Sequence, residues 1–434
     1  MICTVTENIL STTRHAQALL ADLGRSERVR AADEHPALGW RRSGLMRVTG
    51  KPDGPALVCP AALATAADGA LAALATIAPG ADFPANGAML LGERVRLMGL
   101  GRRGRVSPNG SCRLIEAADG RIALSLARED DWSLMPAWLE ADISGWEAVE
   151  AAIASRPARE LVERGIELGL PIAIDLPPRP ARPWFEASEP VATRHHGRPF
   201  VVDLAPLWAG PLAASLLGMA GGRVVKVESV RRPDGARQGH AGFFDLLNGG
   251  KESVAVDFAT SEGRDALRRL IDRADIVIEG SRPRALAQLG LDAEASVANG
   301  TLWISITGHG RTGAAADRVG FGDDAAVAAG LSSAMATGWG EPLFAGDAIA
   351  DPLTGLHAAL AAWAMWRSGE ARLVSLSLSG TVAHSISAGL AQDAVLRAWQ
   401  RMADADGAPL YPPRPVIARA RPLGADTASV LGEC

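Results

Sequence analysis

The chain has little of what most site signatures need. Its 434 residues hold one tyrosine, four cysteines and 5% aromatic residues. Cys3, Cys59, Cys112 and Cys434 are scattered, without metal-ligand spacing. No metal is expected, and the thiols read as reduced, in a cytoplasmic protein. A Walker loop and an H-E-x-x-H are both missing, so NTPase and zinc-protease readings fail. No uninterrupted apolar run is long enough to span a bilayer, and the N-terminus has no basic-then-apolar signal pattern. With 44 basic and 49 acidic residues, net charge -5, neither nucleic acid nor a membrane surface is expected as partner. What the chain does have is length and apolar content: 48% hydrophobic residues over 434 positions predict two or more domains with a large core.

Residues 1–36 read as an N-terminal helical arm, with a helix over roughly Glu7 to Leu23. Residues 37–100 contain a degraded copy of a later stretch. The run SGLMRVTGKPDGPALVCPAALATAADGALAALATI begins at Ser43, and AGLSSAMATGWGEPLFAGDAIADPLTGLHAALAAW begins at Ala329. Both have small-Gly-Leu, Thr-Gly, a Gly/Pro turn, an apolar stretch, a glycine and an alanine-rich helix, which is an internal repeat. Shared Ala/Gly bias explains such likeness less well than ordered matches do: Thr49-Gly50 with Thr337-Gly338, and Gly69 with Gly355. Aligning the late glycines sets Thr65 opposite Asp351, so the first copy lacks that carboxylate.

Residues 101–178 form a small α+β unit. GRRGRVSPNGSCRLIEAADGRIALSLA alternates about a turn at Ala118-Asp119-Gly120, predicting a hairpin. Two helices are expected after it, near Asp130–Glu140 and Trp146–Gly169. Arg102, Arg103 and Arg105 make a basic cluster, by default a solvated loop. Residues 179–197 are rich in proline and arginine and read as a linker. His195 and His196 sit there without a third ligand, as exposed residues.

Residues 198–400 alternate strand and helix. Strands are expected at PFVVDLA, Val224–Glu228, Ser253–Asp257, Ile276–Glu279 and Leu302–Ile306, with an amphipathic helix at Ser261–Ala274. Continuous apolar strands between helices mean an α/β fold with a mostly parallel, doubly wound sheet covered on both faces. Ligands of such sheets bind beyond the strands' carboxyl ends. No G-x-G-x-x-G follows the first strand, so a dinucleotide-dependent enzyme is disfavoured. Residues 401–434 are a C-terminal tail. Near the end of the alternating part, Asp351-Pro352 precedes a long alanine-rich run. Locally Asp351 reads as a helix cap with Pro352 in the first turn.

Five segments in order resemble the family III CoA-transferases, with their α-methylacyl-CoA racemase relatives. VVDLAPLWAGPLAASLLGMAGGRVVKVE is similar to the family's opening strand, Ala-Gly-Pro turn, helix and second strand. FFDLLNGGKESVAVDF is similar to its Asn-x-Gly-Lys-x-Ser-Val element, and ADIVIEGSRPRALAQLGL to its next strand and loop. WISITGHGRTG and GDAIADPLTGLHAALAA resemble the last two segments, and RARPLGADTASVL its C-terminal tail. The likeness covers most of 198–380 and part of 413–430. It implies a Rossmann-like CoA-binding domain over 198–400, coenzyme A and acyl-CoA as substrates, a carboxylic acid acceptor and a homodimer. The family's small domain interrupts the second half of the chain; here the similar 101–178 unit precedes the large one. A fused, partly deleted tandem pair is the organisation this order implies.

Carried across residue by residue, the resemblance makes Asp351 the nucleophile that attacks an acyl-CoA thioester. Asp324 falls on a second acidic position, and Asp323 stands where the racemases place a histidine base, which argues against racemase chemistry. Capping of a helix starting at Ala325 explains Asp324 equally well. Lys226 and Lys251 match cationic positions suited to the nucleotide phosphates, although a lysine closing a strand edge is as good a reading of each. Arg282 remains from an Asn-Phe-Arg-Pro element in which Gly280 and Ser281 replace the first two residues. Trp208 either packs against the ligand or belongs to the core. Ala209 and Gly210 follow it, and Gly210 permits close backbone approach. His309 lies in a glycine-rich loop that could face the site, and His357 either tunes Asp351 or packs. The alternatives are an acyl-CoA racemase or isomerase of the same superfamily, and a CoA-binding pseudoenzyme.

Overall fold

The computed structural model describes residues 11–180 and 183–434. The part of the expected first helix at Glu7–Leu10 lies outside them. Within them helix α1 runs Thr12–Asp22, started by the Ser11 hydroxyl, which accepts the Arg14 N–H. Helix α2, Leu63–Ile77, is the alanine-rich helix of the first copy. Its Gly69 seats α1: a Cβ there would stand 2.6 Å from the His15 ring.

Strands β1 (Cys112–Ala117) and β2 (Gly120–Ser125) form the expected hairpin, and β3 (Ile172–Ile174) adds a third antiparallel strand. The helices over them are shorter than the sequence pattern predicts. Pro136 opens a new helix at Met135–Leu139, and Pro157 separates Trp146–Ile153 from Ala158–Glu167. Proline has no N–H to continue a helix and restricts the residue before it, so the periodic pattern breaks there. Ile122, Leu124, Trp138, Ile153 and Leu161 give this unit its own core.

The large sheet has seven strands: β4 (Glu186–Ala187), β5 (Phe200–Asp203), β6 (Arg223–Ser229), β7 (Glu252–Val256), β8 (Ile276–Glu279), β9 (Leu302–Thr307) and β10 (Leu373–Ser377). They lie in the order β4-β10-β9-β8-β5-β6-β7. All pairs are parallel except β4 with β10. The stretch 179–197, expected as linker, thus supplies an edge strand. It also holds Val191–Ala192, which pairs with Glu370–Ala371. From β5 onward the strands follow the doubly wound α/β pattern, with the order reversing between β5 and β8. Both faces are covered. Val201, Ile276 and Ile304 join the core under α3 (Ala209–Met219). Val202, Val277 and Trp303 join the core under α4 (Ser261–Arg273) on the other face.

Helices α5 (Gly322–Ala328) and α6 (Ala350–Arg367) complete the large unit. Gly355 seats α6 on α3, since a Cβ there would stand 2.6 Å from the Ala209 carbonyl oxygen. The two stretches matched in the sequence place their glycines alike: each alanine-rich helix turns its matched glycine to a partner helix, α2 to α1 and α6 to α3. The two alanine-rich helices also meet, with Trp363 Nε1 donating to the Ile77 carbonyl at 3.2 Å. The tail returns over both parts. Arg414 forks onto Glu93 at 2.8 and 2.9 Å, and Asp426 accepts the Ser253 N–H of β7 at 2.8 Å.

Candidate active site

Asp351 is not the cap of its helix. Ile349 holds that place, and Asp351 is the second residue of α6, with Pro352 tolerated beside it in the first turn. Its carboxyl faces other elements instead. A Cβ on Gly322, the first residue of α5, would lie 2.1 Å from Asp351 Oδ2. The Ala209 N–H at the start of α3 points to the same carboxyl, and a helix N-terminus favours negative charge. Burial outweighs this help and pushes the Asp351 carboxyl up to about 7, with Arg94 pulling the other way.

The two other aspartates lie beside it with different partners. Asp324 Oδ1 accepts the Phe321 N–H at 2.9 Å. The helix expected from Ala325 therefore starts at Gly322, with Asp324 capping it from inside the first turn. Asp324 Oδ2 has no hydrogen bond among the described residues and stands 3.8 Å from His309 Nε2. Asp323 Oδ1 accepts the Ala348 N–H at 2.8 Å, and Asn109 Nδ2 reaches its Oδ2 at 3.4 Å. Burial, then the charge of Asp347, pushes the Asp323 carboxyl up to about 7. Ala348 has the left-handed φ of 42°, uncommon for alanine. Its N–H serves Asp323 while its carbonyl accepts the Asp351 N–H at 2.9 Å, so one strained residue sets both carboxylates.

Asp323, Ala348 and Asp351 border a cavity of about 840 Å³ beyond the carboxyl ends of β5 and β8, where the strand order reverses. Trp208, Ala209, Gly210, Lys226, Arg282, Asp323 and Asp351 are on its wall; Lys251 and Asp324 are not. Trp208 is buried, with Phe243 edge-on at 4.9 Å and the Arg94 guanidinium 4.9 Å above its ring. Gly210 is required where it stands, because a Cβ would meet Ala205 Cβ at 2.1 Å. Neither lysine presents a free ammonium. Lys226 Nζ binds Asp234 at 2.9 Å and the Ala205 carbonyl at 3.0 Å. Lys251 Nζ binds Asp203 and the Pro211 carbonyl, both at 2.8 Å. The strand-tying reading therefore describes their contacts. Arg282 is partly exposed and has no ion pair among the described residues. Arg232 and Arg318 are further guanidinium groups on the same wall.

The remaining histidines point elsewhere. His357 Nδ1 lies 2.8 Å from its own helix's Leu353 carbonyl, and its ring packs against Trp184 and His15. It does not tune Asp351. His195 is exposed and pairs with Asp275 at 2.9 Å. Of the basic cluster, Arg102 donates to the Lys51 carbonyl and Arg105 to Glu116. A second cavity of about 650 Å³, between Lys51–Leu57 and Trp339–Leu343, holds none of the candidate residues.

Sequence reasoning missed Arg94, Asn109 and Asp347. Arg94 forks onto Asp347 with Nε and Nη2 at 2.6 and 2.7 Å. Its local pattern is an ordinary amphipathic turn, and its partner lies 253 residues away. Asp347 stands four residues before Asp351 in the segment already singled out, which is the signal that could have found it.

Comparison with known proteins gives one family. The model of CoA-transferase family III matches residues 200–413. A succinate–glutarate CoA-transferase of Agrobacterium fabrum is 35% identical over 197 residues, 41% of this chain and 49% of that protein. An acyl-CoA transferase of Fusarium pseudograminearum is 32% identical over 202 residues, 42% and 44% of the two chains. A CAIB/BAIF family protein from Brucella suis of known crystal structure aligns with a TM-score of 0.39 at 32% identity, over 45% of this chain and 56% of that one. The chain spans about half the length of the curated relatives it matches. The matched part carries Asp323, Asp324 and Asp351; Arg94 and Asn109 lie outside it.

Proposed function

Residues 200–413 place this chain in CoA-transferase family III, and from that premise we propose that it moves CoA from an acyl-CoA to a carboxylic acid, with Asp351 as nucleophile. The observation that carries this reading is the Asp351 carboxyl on the cavity wall, held against Gly322 and the first N–H of α3. The carboxylate attacks the thioester carbonyl carbon, the C–S bond breaks, and CoA leaves as thiolate from an acyl–aspartyl anhydride. The thiolate then attacks the aspartyl carbonyl and expels the donor acid, leaving an aspartyl-CoA thioester. The acceptor carboxylate attacks that thioester, releasing the thiolate and forming a second mixed anhydride. Attack of the thiolate on the acceptor's carbonyl completes the transfer and restores Asp351.

Each tetrahedral step develops an oxyanion, and the first turn of α3 offers backbone N–H donors with the helix dipole behind them. Arg232, Arg282 and Arg318 are suited to the phosphates of CoA, in place of the two tied lysines. Asp323 contributes by holding Ala348, and Asp324 by holding the start of α5. A homodimer and a cytoplasmic location belong to the same reading. Among the described residues no helix is long and apolar enough to cross a membrane. The names of the relatives put short dicarboxylic acids first among acceptors to try.

The test is incubation with a panel of acyl-CoAs, hydroxylamine trapping and intact-mass measurement, on the wild type and on Asp351→Ala. An adduct on the wild type that the variant lacks supports aspartyl catalysis. CoA binding with no adduct from any donor in a broad panel leaves the pseudoenzyme, and exchange of the α-proton of a 2-methylacyl-CoA with solvent deuterium would point to the racemase.

A further inference from the structure

The part of the chain outside the family match sends a charged group into the site. Arg94 lies in the Glu93–Met98 helix, which the tail fixes through the Arg414–Glu93 fork. Its guanidinium is held three ways: two bonds to buried Asp347 and the Trp208 ring below it. Several carboxyls crowd this corner. Asp347 comes from the turn before α6, Asp351 from α6 itself, and Asp323 and Asp324 from α5. His309 and Arg318 face Asp324. The Ala209 N–H comes from α3. Arg94 is the guanidinium whose charge acts on Asp323, Asp347 and Asp351 together. A carboxyl in dry surroundings stays ionised only if an opposite charge is fixed near it, and an acyl-CoA seated in the cavity would remove still more water.

We propose that Arg94 is a positioning residue for Asp351: forked by Asp347 and laid on Trp208, its guanidinium is the fixed counter-charge that the nucleophile needs, so the site is complete only when the 37–100 segment is docked. This rests on the reading of Asp351 as nucleophile. It also gives the degraded first copy a use, since that copy has lost its own aspartate but delivers the cation to the surviving one.

The experiment follows the rate of trapped Asp351 adduct from pH 5 to 9 in the full chain, with acyl-CoA KM measured separately. Arg94→Gln should move the midpoint of the pH profile up by about one unit, and Asp347→Asn, which removes a like charge, should move it down by a similar amount. Arg94→Lys keeps the charge without the fork and should hold the midpoint within about half a unit while lowering the plateau. KM should stay within about threefold in all three, because the effect is on the reacting carboxylate and not on ground-state binding. A purely structural role would lower the yield of folded protein or the plateau and leave the midpoint in place. Unmoved midpoints in Arg94→Gln and Asp347→Asn overturn the proposal. If Arg94→Gln fails to fold, Asp347→Asn decides alone: a downward shift supports it and no shift overturns it. A wild type that forms no adduct at any pH is a different failure, that of Asp351 as nucleophile, and is seen before any variant is made.

Discussion

A Cβ on Gly322 would stand 2.1 Å from Oδ2 of Asp351 and 2.5 Å from the Ala348 carbonyl oxygen. The first atom could move by side-chain rotation, but the second is backbone of the strained residue that also binds Asp323. Gly322→Ala must therefore push either the carboxylate or the turn that aims it. Adduct formation should fall about 100-fold, the usual result of misplacing a reacting group by about 1 Å. CoA binding, measured by calorimetry, should change little, and unfolding should show a loss of about 1–3 kcal/mol from overpacking. Full activity in this variant would mean that Asp351 reacts from another rotamer.

The glycines matched between the two alanine-rich helices supply a pair of substitutions. Gly355→Ala meets the Ala209 carbonyl at 2.6 Å and Leu212 Cβ at 3.2 Å, so it pries α6 from the helix start that faces Asp351. Gly69→Ala meets the His15 ring at 2.6 Å, far from the cavity. Each gains about 1 kcal/mol of helix propensity and loses about 1–3 kcal/mol to overpacking. Both should lower the thermal midpoint. Only Gly355→Ala should cut kcat, by about tenfold or more, since it alone shifts a group at the carboxyl proposed to react. Equal kcat losses in the two would show that global stability, not local geometry, is being read.

The large sheet was legible because parallel strands buried on both faces are written as unbroken apolar runs: Phe200–Asp203 and Ile276–Glu279 have every residue buried. Asp351 stood out through the likeness of its segment to an earlier stretch and through its place before an alanine-rich run. What stayed hidden depends on contacts between distant parts. Lys226 and Lys251 look like free cations until Asp234 and Asp203 are seen beside them. The edge strand at Glu186–Ala187 has two exposed residues and exists only by pairing with β10. Arg94 meets Asp347 across 253 positions, which no window of periodicity can reach.

Ionisation of Asp351 and Asp323 should tie activity and stability to pH in opposite senses. Burial raises both carboxyls from 3.8 to about 7. Folded protein then holds protons that unfolded chain has lost, so this contribution is full below about pH 4 and disappears as pH rises through about 7. In the proposed reaction the carboxylate is the form that attacks, so adduct formation should rise about tenfold per pH unit below 7 and level off above it. Asp351→Asn cannot ionise and should be more stable than wild type at pH 8, on the order of 3 kcal/mol, with the gain gone at pH 4. Urea midpoints at the two pH values check this. An advantage of equal size at both would place its origin in packing.

A second set of buried groups works against that slope. His15 and His357 pack with Trp184 and His384 between α1, α6 and the Leu378–Ser387 helix, and the Nε2 atoms of His15 and His357 have no hydrogen-bond partner among the described residues. Burial lowers His15 from 6.5 to about 4 and His357 to about 3, with the neighbouring imidazoles adding to it. Here the unfolded chain binds the extra protons below 6.5, so stability falls with pH from there to about 4, at about 1.4 kcal/mol per unit for each histidine. Two raised carboxyls and two lowered imidazoles nearly cancel between pH 6.5 and 4, and their opposition should leave the wild-type profile shallow. Replacing His15 and His357 together by leucine removes one side of the balance. The variant should then gain stability relative to wild type as pH falls from 7 to 5, by about 3–4 kcal/mol. A constant difference between the two proteins over that range would mean that these imidazoles take up protons in the folded protein over the same range as in the unfolded chain.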